Sequence, residues 1–215
     1  MNRFATSDEH FYHNNILTGW EGRQAPRPFT TMDDMVEGLI DRHNAVVKDN
    51  DEVYHLGDMF WKSTGLEKAI WIRQRLRGKH FYALGNHDEL FFTDQKKQEG
   101  LFSPLAFHFE DVRDVYFLQS NGINRHGVAM GHYAGHVWRE SHKGSYQFFG
   151  HSHGKLDNSQ YIQEHLSYDV GVDVNNFTPV AFEDIAVKLR KRAEKIGEKY
   201  KHGAPSGRYY NSVSD

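Results

Sequence analysis

Two stretches of the chain repeat their apolar residues at helical spacing. After Thr30 and Thr31 they fall at Met32, Met35, Val36, Leu39, Ile40, Val46 and Val47, the i, i+3, i+4, i+7 stripe of an amphipathic helix. Thr30 with Asp33, or Thr31 with Asp34, supplies the hydroxyl cap and acidic first turn that open such a helix. A second helix is predicted over residues 63–77, with Leu66, Ile70, Trp71 and Leu76 as its apolar members and Gly78 as a left-handed C-cap. A third, basic helix is predicted over 183–200, docking through Ile185, Leu189, Ala193 and Ile196. Between these lie short apolar runs with strand character at 4–6, 53–56, 80–84, 128–130, 146–149 and 168–172, and residues 107–118 add one or two more. Strand and helix alternate in the first half, which implies parallel pairing through crossover helices, while the second half reads as consecutive strands. The expected fold class is mixed α/β.

The residues at the end of each run are more informative than the run itself. Phe4-Ala5-Thr6 leads to Asp8 and His10, the second run to Gly57-Asp58, and the third to Gly85-Asn86-His87-Asp88. The fourth leads to Gly131-His132 and the fifth to Gly150-His151-Ser152-His153. Sites in open α/β sheets form at the carboxyl ends of strands, and a glycine there permits a sharp turn and close backbone approach. In extended chain, residues i and i+2 point to the same side, so Asp8 with His10, and His151 with His153, can serve one small region. Asp58 carries two carboxylate oxygens, enough to bridge two cations ~3.5–4 Å apart. With the amide oxygen of Asn86 and the imidazole of His132 the set has seven oxygen and nitrogen donors. That is too many for one tetrahedral zinc and suits two metals with positions left for water and substrate.

Composition sharpens this picture. The 215 residues include 15 histidines and no cysteine, which excludes disulfides, thiolate metal sites and a cysteine nucleophile. Sulfur-free ligands favour Mn²⁺, Fe²⁺, Zn²⁺, Co²⁺ or Ni²⁺. The formal charge of -3 conceals a basic run at 188–201, where seven Lys or Arg face two Glu, so the rest of the chain is acidic. No apolar stretch reaches the ~18 residues of a membrane span. The first residues show no apolar secretory core, so a cytoplasmic location is expected. No repeat or linker divides the chain, and one domain is expected over 1–202 with a loose tail from 203 to 215.

The ordered series Asp8-x-His10, Gly57-Asp58, Gly85-Asn86-His87-Asp88, Gly131-His132 and Gly150-His151-x-His153 resembles the signature of the calcineurin-like metallophosphoesterase superfamily. The likeness covers residues 8–153, and Asp169-Val170-Gly171-Val172-Asp173 is similar to the closing strand of small bacterial and phage members. The resemblance implies a four-layer α-β-β-α sandwich with mixed sheets. It also implies that Asp8, His10 and His153 bind one metal, that Asn86, His132 and His151 bind the other, and that Asp58 bridges them. Manganese is the foremost expectation. His87 would be the catalytic histidine, donating a proton to the leaving oxygen, and the reaction would be hydrolysis of a phosphomonoester or phosphodiester by a metal-bound hydroxide. One nearby position departs from small relatives: Ala134 stands where proline is common, which bears on the local substrate loop and not on the metals.

Other residues carry weaker expectations. His13, three residues past His10, is a candidate contact to a substrate phosphate, and His136 and His142 are candidates to line the cleft. Asp88 reads as structural. Trp61 reads as packing before it reads as a stacking face for a nucleobase, and the basic helix as a solvated face before a nucleic-acid contact. The expected partner is therefore a phosphoester substrate, with nucleic acid less favoured. Within the enzyme class the alternative is a nuclease or a cyclic-nucleotide phosphodiesterase. A non-catalytic scaffold of the same fold is disfavoured by the retention of His87 and all seven donors.

Overall fold

The computed structural model describes residues 1–19, 24–88, 104–119 and 122–201. Its strands are β1 (Arg3–Thr6), β2 (Glu52–His55), β3 (Lys79–Ala83), β4 (Asp111–Arg113), β5 (Val115–Leu118), β6 (Val128–Gly131), β7 (Tyr146–Phe149), β8 (Ser167–Asp169) and β9 (Val180–Ala181). The helices are α1 (Asn14–Thr18), α2 (Met32–Val46), α3 (Leu66–Arg75), α4 (Gln160–Glu164) and α5 (Phe182–Lys201), with 3-10 turns at Pro104–His108, Ser141–Lys143 and Val172–Val174.

Two mixed sheets form, giving the mixed α/β class expected. The first runs β4-β3-β2-β1-β9 and the second β5-β6-β7-β8. In the first sheet β1, β2, β3 and β4 pair in parallel, with Phe4 opposite Val53 and Val53 opposite His80, and β9 closes the edge antiparallel. In the second, β6, β7 and β8 are parallel and β5 is antiparallel. Helices α2 and α3 are the crossovers that let β1, β2 and β3 run the same way. The carboxyl ends of β1, β2 and β3 therefore share one rim of the first sheet, and those of β6 and β7 share one rim of the second.

Strand alternation sends successive side chains to opposite faces. Ala5, Tyr54 and Ala83 meet Tyr116, Val128, Met130, Tyr146 and Phe148 of the second sheet, and Phe182, Ile185 and Leu189 of α5 join the same core. The other face of the first sheet carries Tyr82 into a second core with Met35, Val36, Leu39 and Ile40 of α2 and Ala69 and Ile72 of α3.

Thr31 caps α2: its hydroxyl accepts from Asp34 N while Asp34 accepts from Thr31 N, a reciprocal capping box. The third predicted helix likewise docks where its stripe lies, with Ile185, Leu189 and Ile196 buried. The second needs correction. It spans ten residues, beginning after Gly65, and its buried face is Ala69 and Ile72, followed by Leu76 at the C-cap. Leu66 and Trp71 are exposed, the Trp71 ring lying 4.5 Å from the Arg75 guanidinium on the surface. Gly78 lies two residues past the C-cap and turns the chain into β3. The run at 168–172 is also shorter than predicted, because the chain leaves β8 at Asp169 and turns through Gly171 into a 3-10 turn. The tail predicted at 203–215 lies outside the described residues.

Candidate metal centre

The rims of the two sheets are sewn together where the polar strand ends meet. Asp8 N donates to Gly57 O at 3.0 Å, His10 N to Asp58 O at 3.1 Å, and Gly150 N to His132 O at 3.0 Å. His151 N donates to the Asp8 carboxylate at 2.9 Å, which ties the β7 loop to the β1 loop. These approaches require glycine at two places. A Cβ on Gly150 would lie 2.0 Å from Ser7 Oγ and 2.5 Å from Asp8 Oδ2, and one on Gly85 would lie 2.3 Å from Asp58 Oδ1. Asp88 braces the same loop, accepting from Asp58 N, Gly85 N and the Tyr82 hydroxyl, as its structural reading implies.

All seven predicted donors come together, in two groups. Asp8, His10 and His153 place ligand-competent atoms within 4.8 Å of one another, and so do Asp58, His132 and His151. Asn86 joins the second group through Oδ1, 3.0 Å from His132 Nε2. Asp58 faces both groups: its Oδ2 is 3.9 Å from His10 Nε2 and 3.4 Å from His132 Nε2. His87 belongs to neither group. Its backbone N–H donates to Asp58 Oδ1, and its Nε2 lies 3.9 Å from Asp58 Oδ2 with the side chain 38 % exposed.

One premise of the sequence analysis is corrected by the backbone. The i, i+2 pairs do converge, but not as extended chain. Asp8, His10, Asp58, His151 and His153 all have φ between 47 and 65°, the left-handed region that costs a non-glycine residue on the order of 1–3 kcal/mol. Five strained residues out of seven donors mark the centre as a place where packing over-determines local preference. Asp and His tolerate this region better than branched residues, which is one reason these residue types can occupy such turns.

The electrostatics derive from burial. Asp8 is fully buried, and desolvation lifts its carboxyl to about 7. Burial also works to raise Asp58, yet the hydrogen bond and charge of His132 outweigh it and hold Asp58 below its ordinary value. Burial opposes charge on His132, but Asp58 and Asp8 prevail and raise it to about 9. His132 Nδ1 donates to Leu56 O at 2.7 Å, so Nε2 is the atom turned toward Asp58 and Asn86. Burial pushes His10 well below 6.5 and His87 and His151 below it. Asp8 Oδ1 and His10 Nδ1 are buried polar atoms without a hydrogen-bond partner. An acceptor oxygen left without a donor among nearby imidazoles fits a cation.

Arg27 and Asp173, which sequence reasoning did not name as site residues, organise this geometry, and Tyr133, also not named, borders it. Arg27, 3 % exposed, donates through Nη1 to Glu9 O at 2.6 Å and through Nη2 to Asp8 O at 2.7 Å. It also makes a bidentate pair with Asp173, both contacts at 2.9 Å. Asp173 in turn accepts from His153 Nδ1 at 2.6 Å, leaving Nε2 for the centre in the carboxylate–histidine arrangement that orients metal ligands. Burial would raise Asp173, but His153 and Arg27 overcome it and hold the carboxyl at about 2. Asp173 ends the Asp169–Asp173 stretch that the sequence singles out; Arg27 has no local signal. Tyr133 comes directly after His132, and that adjacency is the signal that was available for it. Its ring is 56 % exposed, edge-on to His132 at 4.9 Å and to His151 at 4.8 Å.

Of the weaker candidates, His13 and Trp61 lie beside this centre. His13 is 3 % exposed, 5.3 Å from the His10 ring and stacked on Trp61 at 3.6 Å. Burial lowers it to about 4, so it is neutral at pH 7 and lies as a support beneath Trp61. Trp61 thus has one face covered, and its ring is 4.3 Å from His87. His136 is exposed against His165, and His142 is exposed in the 3-10 turn. On α5, Arg192 donates inward to Ser167 O, while Arg190, Lys191 and Lys195 are exposed.

No protein-family model matches the sequence. The chain is 28% identical over 194 residues to the uncharacterized protein MJ1445 of Methanocaldococcus jannaschii, covering 90% of this chain and 93% of that protein. The crystal structure of the protein of unknown function AQ665 from Aquifex aeolicus superposes with a TM-score of 0.59 at 20% identity, over 87% of this chain and 98% of that one. The phosphopantetheinyl hydrolase PptH of Mycobacterium tuberculosis superposes at a TM-score of 0.26 with 14% identity, over 90% and 63% of the two chains, too loosely to inform fold or chemistry. Among the described residues no helix is long and apolar enough to cross a membrane. The chain thus shares the mixed α/β fold of AQ665 over most of its length.

Proposed function

We propose that the protein is a binuclear metal-dependent phosphoesterase of the calcineurin-like kind, its two sheets and flanking helices forming that family's four-layer sandwich. The observation that carries the reading is Asp58. Its carboxylate lies between two groups of sulfur-free donors, each of a size suited to one divalent cation. Asp8, His10, His153 and Asp58 would hold one cation; Asp58, Asn86, His132 and His151 would hold the other. Mn²⁺ is the expected metal, with Fe²⁺, Zn²⁺, Ni²⁺ or Co²⁺ as its competitors. Two such ions supply Lewis acidity, lowering the pKa of water toward ~7 and neutralising charge on phosphoryl oxygens.

The remaining work falls to the chain. The buried carboxylates and imidazoles would hold the two cations, through which the phosphoryl group would be oriented, and the rim hydrogen bonds offset the strain of the loops. His87, half-exposed beside Trp61 with Nε2 3.9 Å from Asp58 Oδ2, would hold a proton for the departing oxygen. The substrate is a phosphomonoester or phosphodiester.

The test is hydrolysis of p-nitrophenyl phosphate and bis-p-nitrophenyl phosphate with and without Mn²⁺. Turnover should depend on Mn²⁺, vanish with a chelator and vanish in Asp58→Ala. His87→Ala should retain both metals while losing ~10²–10⁴-fold in kcat. Undiminished turnover by metal-free Asp58→Ala would refute the proposal.

A further inference from the structure

Tyr133 is an exposed side chain in contact with the candidate metal centre, and among the described residues little in its surroundings calls for a phenol there. Its ring meets His132 and His151 only edge-on, and more than half of its surface is open. A phenylalanine could make the same ring contacts. Among the described residues the hydroxyl makes one polar contact, donating to Asn86 Oδ1 at 3.4 Å, beyond the usual range for an O–H donor. That acceptor is already approached by His132 Nε2 at 3.0 Å. The hydroxyl is thus a weakly engaged donor standing over three donors of one group, His132, His151 and Asn86.

We propose that Tyr133 is a catalytic hydrogen-bond donor, giving its phenolic proton's hydrogen bond to a non-bridging oxygen of the substrate's phosphoryl group. The proposal rests on the phosphoesterase reading. If Asn86 Oδ1 turns its lone pair to a cation, the phenol loses its acceptor and is left beside the position a phosphoryl oxygen would take. His87 stands beside His10 and Trp61, with Nε2 3.9 Å from Asp58 Oδ2. The two donors therefore have different tasks: His87 serves the leaving oxygen, and Tyr133 serves the charge that stays on phosphorus. No bond is made or broken at Tyr133, and its proton remains on the phenol throughout. Because a donor to an anionic oxygen contributes more than one to a neutral group, its loss should register in both binding and turnover.

The experiment compares wild type, Tyr133→Phe and Tyr133→Ala as full chains loaded with Mn²⁺. Manganese content is counted, inorganic phosphate binding is measured by titration calorimetry, and kcat and KM are taken with both p-nitrophenyl substrates. Tyr133→Phe should keep two Mn²⁺ and a wild-type fold, bind inorganic phosphate ~10-fold more weakly, and lose ~10-fold or more in kcat/KM. Tyr133→Ala should fall no more than a further few-fold, since the ring itself does little. Tyr133→Phe matching wild type in phosphate affinity and kcat/KM, in an enzyme that hydrolyses both substrates, overturns the Tyr133 role and leaves the phosphoesterase reading standing. A wild-type chain that takes up no Mn²⁺ removes that reading and this inference with it.

Discussion

Arg27 and Asp173 stand 146 residues apart and meet in one bidentate pair. Neither is a proposed metal donor, yet between them they hold the carbonyls of Asp8 and Glu9 and the ring of His153. Removing the Asp173 charge leaves a buried guanidinium without its counter-ion and His153 with a weaker acceptor. Asp173→Asn is expected to fold, by circular dichroism, and to bind Mn²⁺ at one of its two sites ~10–100-fold less tightly than wild type in a calorimetric titration. Unchanged affinity at both sites would show that His153 needs no such orientation. At this scale the proposed donors were legible because each comes just after its strand, so local sequence places it at a rim. Arg27 was not, because its partner comes from the far end of the chain. The backbone of the donors was not legible either: the left-handed turns at Asp8 and His10 go with rim contacts to Gly57 and Asp58, which no local pattern encodes.

Between α2, β2 and β3 lies a stack of histidines. His43 lies 5.3 Å from His80 and His80 4.9 Å from His55, all three buried. His43 and His80 both donate through Nε2 to Arg77 O, at 2.9 and 2.8 Å, and His55 Nε2 meets His80 Nδ1 at 2.7 Å. Burial lowers His43 to about 4 and His80 well below 6.5. An unfolded imidazole takes up its proton near 6.5, while folded His43 does so only near 4. The unfolded state therefore binds more protons inside that window. Stability is full above pH 6.5 and is lost as pH falls toward 4, by about 3 kcal/mol through His43. Urea unfolding at pH 7 and pH 4.5 should show wild type losing more stability than His43→Gln; parallel losses would contradict this origin. The same scale separates readable elements from unreadable ones. Helix α2 was legible because an apolar stripe and a cap agree. In α3 the large Trp71 drew attention from the small Ala69 that in fact faces the core. Elements of two to five residues, such as α1, α4 and β9, are too short to show a period.

The molecule as a whole is two mixed sheets whose facing rims carry the candidate centre. Asp8, His10, Asp58 and Asn86 come from the first sheet's loops, and His132, His151 and His153 from the second's. Alternation of strand and helix made the α/β class readable, and strand ends made the gathering of donors readable. The order β4-β3-β2-β1-β9 was not, since pairing across a sheet depends on distant partners. Cations bound across this seam would favour the folded state alone, stabilising it by ~2.7 kcal/mol at a concentration 100 times Kd. Two cations are expected to share Asp58 at that seam. Anomalous diffraction from manganese-loaded crystals measures this directly. Two peaks ~3.5–4 Å apart, one on each side of the Asp58 carboxylate, are the predicted result; a single peak, or peaks remote from Asp58, would contradict it.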